Sequence, residues 1–151
     1  MDKETFIREM DRHVKLVRTE YGFTQETMAG VLGVSKKTLV EIEKGRTSLG
    51  WTGAVAFSAI FSGSQVLSGF LGGESSDMIQ ALAFAKVKPA FPRTMGGKVW
   101  WQTVEKRGDC RIQQNILSRH YRALDGENGR VCSSFDLAEV RARIDEMEGA
   151  I

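Results

Sequence analysis

The chain is short of the residues that staple small scaffolds and of those that perform chemistry. It has two cysteines, Cys110 and Cys132, and two histidines, His13 and His120. Two thiols make no disulfide framework, and two distant imidazoles give no metal-ligand spacing. A reduced, cytoplasmic protein with semi-buried thiols, no metal and no cofactor is the expectation. Proline is equally scarce, with Pro89 and Pro92 close together near mid-chain. No apolar run approaches the roughly 18 residues that cross a bilayer. The opening "MDKETFIREMDRH" mixes both charges and lacks a secretory core, so neither a leader nor a membrane partner is expected. Catalytic signatures are missing too: there is no GxSxG and no HExxH, and "GGKV" at 96–99 lacks the hydroxyl residue of a phosphate loop. Neither histidine has a nucleophile or a paired acid nearby in sequence. No enzyme is expected.

What is present suits one medium or two small globular domains: 151 residues, 42% hydrophobic and 26% charged. The net charge of +2 says little, but its distribution is uneven. Residues 86–122 hold nine Lys or Arg against Glu105 and Asp109, whereas residues 123–151 hold three basic and seven acidic residues. Such asymmetry points to a polyanion or to an oppositely charged surface.

Helical periodicity dominates the first half. Phe6, Met10, Val14 and Val17 recur on one face, with Ile7 and Leu16 alongside. Gly22 ends that helix and Thr24 caps the next, whose inward face is Met28, Ala29 and Leu32. Gly33 closes it, Ser35 caps a third helix that buries Leu39 and Ile42, and Gly45 stops that one. "WTGAVAFSAIFSG" predicts an almost wholly apolar fourth helix, central or at an interface. Ser64 starts a short fifth helix carrying Val66, Leu67, Phe70 and Leu71.

The polar "GGESS" at 72–76 reads as a joint between domains 1–72 and 77–151. A helix over about 77–87 follows, stopped by Pro89 and Pro92. From Lys98 to Ser134, aromatic and branched residues punctuated by "KRGD" and "DGENG" predict three or four antiparallel strands. Cys110, Ile112 and Ile116 are expected on one face. A terminal helix over about 136–147 carries Leu137, Val140, Ile144, Met147 and Ile151, with Asp136 and Glu139 spaced as a capping box. The fold class is therefore α+β: a five-helix domain, then a small sheet with a terminal helix.

Only "LGVS" separates the second and third helices, with Val34 able to plug the space between them. The third helix then turns Lys36, Lys37, Val40 and Glu41 outward. Its amino end, with free amides and partial positive charge, suits phosphates or base acceptors. The stretch from Arg18 to Arg46 resembles the helix-turn-helix of lambda-repressor-like, Cro-type regulators of the xenobiotic-response-element family. The resemblance rests on "GFTQE", the alanine three residues on, "LGVS", "TL" and "IEKG", and extends to "GSQVLSGFL".

The resemblance implies roles by position. Gln25 would bond a phosphate. Ser35 would cap the recognition helix and touch the backbone or a thymine methyl. Lys36, Lys37 and Glu41 would face base edges with Val40 beside them, and Lys44 and Arg46 would hold the other phosphate rail. Arg18 and Glu43 would form a buried structural ion pair.

Residues 1–50 hold nine basic and eight acidic residues, so a single unit should bind DNA weakly. Two copies on an inverted repeat are the natural remedy. The expected function is a dimeric repressor on double-stranded DNA. The alternatives are the antitoxin half of a toxin–antitoxin pair and a protein-interaction module that has lost DNA binding. For the second half three readings compete: a dimerisation element, a pocket for a small-molecule or protein effector lined by Trp100, Trp101 and Tyr121, and a direct nucleic-acid surface. Adjacent tryptophans on a strand point to opposite faces, so only one of Trp100 and Trp101 can meet the core.

Overall fold

The computed structural model describes residues 1–73, 75–88, 90 and 100–149. The chain divides into two compact units, Met1–Phe91 and Pro92–Ile151. Among the described residues the first holds six helices: α1 (Lys3–Glu20), α2 (Gln25–Leu32), α3 (Lys36–Glu43), α4 (Gly50–Ile60), α5 (Gln65–Leu71) and α6 (Ser76–Ala83). The second holds β1 (Trp101–Arg107), β2 (Cys110–Asn115), β3 (Tyr121–Leu124), β4 (Arg130–Ser134) and α7 (Leu137–Gly149).

In the first unit the helical stripe of α1 is fully buried at Phe6, Met10, Val14 and Val17. It meets Met28 and Ala29 of α2, Leu39 and Ile42 of α3, Ala54 and Phe57 of α4, Phe61 just beyond α4, and Leu67 of α5. Leu16, expected beside that stripe, is instead 55% exposed. One residue before Val17 is about 100° around the helix, which carries it off the buried face. The apolar α4 is central on one side only: Ala54, Phe57 and Ser58 are buried while Ile60 is exposed. Glu20 ties α1 to α5, accepting from the Ser64 hydroxyl and, at 2.7 Å, from the Gln65 amide. These bonds hold its carboxyl below the ordinary value, with the Ser64 hydroxyl the largest cause.

The stretch 72–76, expected as the joint, falls within the first unit. The cause is α6, whose Met78, Ile79 and Leu82 pack on the helical core. That helix also ends at Ala83 rather than near residue 87, with Phe84 as its cap. It therefore stops before the prolines, which lie outside the described residues, as do Arg93, "GGKV" and Ile151.

In the second unit the four strands form an antiparallel meander in the order β1-β2-β3-β4. The register aligns Ile112 with Ala123, and Ala123 with Cys132. These residues share one face, and α7 closes it with Val140 and Ile144. The edge strand β1 reaches α7 through charge: Glu105 accepts from Arg141 at 2.7 Å, and Arg107 meets Asp145 at 2.9 Å. Cys110 and Cys132 are free thiols in this core. Burial is the largest cause pushing both thiols upward, which favours their protonated form.

Four expectations change here. Ile116 is 46% exposed, because β2 ends at Asn115 and Ile116 sits in the following turn with its amide on the Trp100 carbonyl. Neither tryptophan joins the core under α7. Trp101 pairs with Asn115 on the opposite face, and Trp100 precedes the strand, 43% exposed. The capping box is replaced: Asp136 accepts from the Ala138 amide, while Glu139 accepts from the Ser134 hydroxyl instead of reaching back to residue 136. Met147 is 38% exposed, so the terminal stripe narrows to Leu137, Val140 and Ile144.

Candidate nucleic-acid interface

The segment α2–turn–α3 is set by its glycines and caps. Thr24 Oγ1 accepts from the Thr27 amide at 3.1 Å, and Ser35 Oγ accepts from the Thr38 amide at 3.0 Å. Gly33 ends α2 at φ 71°, a left-handed turn in which a side chain would be strained. The Val34 amide then bonds the Ala29 carbonyl at 3.0 Å, which points Val34 back into the core. Gly45 does the same after α3, with the Arg46 amide on the Glu41 carbonyl at 2.9 Å. Two such turns fix where α3 starts and where the chain leaves it.

Leu39 and Ile42 bury one side of α3, at 0% and 2% exposure. The other side follows from the helical period. Ser35, Lys36 and Lys37 are exposed at its amino end, and Val40 and Glu41 are half-buried one turn on. The helix leaves the amides of Lys36 and Lys37 without intrahelical acceptors. Two ammonium groups and two free amides thus share one accessible end.

The other end is anchored by Glu43. Arg18 Nε donates to Glu43 Oε1 at 2.5 Å and Arg18 Nη2 to Oε2 at 3.3 Å, while Nη1 donates to the Phe23 carbonyl at 3.1 Å. The Arg18 and Glu43 side chains keep only 17% and 6% of their exposure. Gln25 Nε2 donates to Glu43 Oε2 at 3.0 Å. Burial opposes the charge on Glu43, but the hydrogen bonds from Arg18 and Gln25 and the Arg18 charge outweigh it, and its carboxyl stays below the ordinary value. One carboxylate therefore gathers the end of α1, the start of α2 and the end of α3.

This placement alters two assignments in detail. Gln25, expected on a phosphate, gives one amide hydrogen to Glu43, which leaves its second amide hydrogen for another acceptor. Glu41 and Arg46, expected to make separate contacts, face each other at 3.5 Å. Lys44 and Arg46 are both exposed past the end of α3. Sequence reasoning missed Asp11, whose Oδ1 accepts from the Leu49 amide at 2.8 Å and so pins the loop that carries Lys44 and Arg46. Its only signal is a polar residue next to the buried position Met10.

A helix held by its far side across a tight turn, with donors clustered at its free end, defines a helix-turn-helix domain. Comparison with known families agrees: residues 14–50 match the helix-turn-helix family model, of the lambda-repressor-like type. No curated protein and no solved structure matches the chain. Residues 14–50 of the first unit thus form a helix-turn-helix, the kind of domain found in DNA-binding regulators. Among the described residues no three metal-ligating side chains come together, and no single helix is long and apolar enough to cross a membrane.

Proposed function

We propose that the protein is a transcriptional repressor that binds a short palindromic operator as a homodimer, with α3 in the major groove. The observation that carries this is the exposed pair Lys36–Lys37 at the free amino end of a helix anchored at Leu39, Ile42 and Glu43. Lysines donate and do not accept, so they favour guanine edges or phosphates. Ser35 presents its hydroxyl at the same end, Val40 and Glu41 form the next turn of the reading face, and Gln25, Lys44 and Arg46 hold phosphates on either side.

The balanced charge of residues 1–50, nine basic against eight acidic, supports the need for two copies. Two α3 helices about one turn of DNA apart would read an inverted repeat. Selection of bound sequences from a random DNA pool tests the whole reading. An enriched palindrome with half-sites about 10 base pairs apart supports it. A single half-site bound by a monomer removes the dimer, and no enrichment removes sequence-specific binding.

A further inference from the structure

The sheet of the second unit sorts its charges by face. Toward α7, Glu105, Arg107, Arg141 and Asp145 are joined in ion pairs. The opposite face follows from the register, since cross-strand partners share a side. Lys106 pairs with Arg111, Arg111 with Leu124, and Leu124 with Arg130; Gln113 pairs with Arg122. Lys106, Arg111, Arg122 and Arg130 therefore share that face. Among the described residues none of the four has a carboxylate partner; Arg111 donates to Asn128, and Arg122 donates twice to Gln113 Oε1, at 2.8 and 3.0 Å. Burial, and then the neighbouring charges of Arg130 and Arg111, push the Arg122 guanidinium below its ordinary value. Like charges gathered without counter-charges are a site waiting for an anion.

We propose that this face binds the phosphate backbone of duplex DNA, with Lys106, Arg111, Arg122 and Arg130 as the contacts. The charge pattern asks for a polyanion; the choice of DNA rests on the reading of the first unit. Two features select a duplex backbone over a stacked single strand. The Trp101 ring carries the Arg122 guanidinium 3.8 Å from its centroid, and His120 packs edge-on at 4.9 Å. A base stacking there would have to displace the arginine, whereas a phosphate meets it held in place. The row from Lys106 to Arg130 also spans three strand spacings, roughly 14 Å, long enough to meet more than one phosphate of a strand.

The test uses the full chain and a labelled 30-base-pair duplex of arbitrary sequence, titrated between 50 and 200 mM salt. Lys106→Gln/Arg111→Gln/Arg130→Gln should reduce the slope of log affinity against log salt by about 2.7, and Arg130→Gln alone by about 0.9. The Arg130 side chain is exposed and has no hydrogen bond or ion pair among the described residues, so the single variant keeps the test valid if the triple variant unfolds. Unchanged slopes overturn the proposal. So does wild-type binding that favours the single strand over its duplex, or an effect confined to the mass of the oligomer, which would make a second copy the occupant. Lys36→Ala/Lys37→Ala separates this proposal from the repressor reading. If that variant keeps all sequence preference in selection from a random DNA pool while the sheet variants flatten the slope, the first-unit reading fails and the sheet proposal stands. The reverse pattern sinks only the sheet proposal, and a wild type that binds no duplex sinks both.

Discussion

The two units have nearly the same net charge, with 11 basic and 10 acidic residues in 1–91 and 10 and 9 in 92–151, yet they use charge in opposite ways. In the first, one deeply placed pair, Arg18–Glu43, joins three helices around a core of large side chains such as Phe6, Phe57 and Phe61. In the second, several half-exposed pairs line one side of a small core, and the cations on the other side have no carboxylate partners among the described residues. Exposed pairs contribute at most about 1 kcal/mol each. The hold of α7 on the sheet must therefore come from Val140 and Ile144. A helical domain spends its charge on positioning α3; the sheet leaves its charge available.

The contrast can be broken at its apolar contacts first. Ile144→Ala should cost the second unit about 4 kcal/mol, since Ile144 is fully buried and little can collapse around it. In urea melts followed by fluorescence, the Trp101 transition should move while the Trp51 transition stays. A joint shift of both would show that the units unfold as one.

Arg18→Met should cost the first unit about 3 kcal/mol by leaving the Glu43 carboxylate buried without its ion-pair partner, though Gln25 still donates to it. The pH dependence has a definite sign. The Glu43 carboxyl is lowered in the folded state, so its stabilisation is full above the ordinary glutamate value of about 4.3 and is lost as pH falls through its folded value. Without Arg18 the carboxyl is held down less against burial, so this acid-linked loss should shrink or reverse. Identical acid melts of the two proteins would assign the acid sensitivity elsewhere.

Lys37→Ala sharpens the comparison at the level of binding. If Lys37 reads a base, the substitution should cost about 2 kcal/mol on the selected operator and relax preference at one position. Equal loss on every sequence would make it a phosphate contact, like those proposed for the sheet. The smallest effect is expected at Gly45→Ala, about 1 kcal/mol of stability from a side chain forced to φ 71°. A neutral result there would mean that the turn after α3 relaxes without harm.

Sequence and structure divide along physical lines. Helical spacing, caps and glycines act within a few residues, and these features of the chain by themselves determined the α1 stripe, the start of α3 at Ser35 and its buried side at Leu39 and Ile42. Even the pair Arg18–Glu43 was legible, because it belongs to a recurrent pattern. Other features depend on partners distant in the chain. The placement of α6 on the first core, the exposure of Ile116 and the position of Trp101 beneath Arg122 follow from packing and register, and a one-residue change of register reverses the face of every side chain on a strand. Only the tertiary structure could decide that Glu105 and Arg107 meet α7 while Lys106, between them, turns the other way, because strand neighbours alternate and the helix covers one face alone.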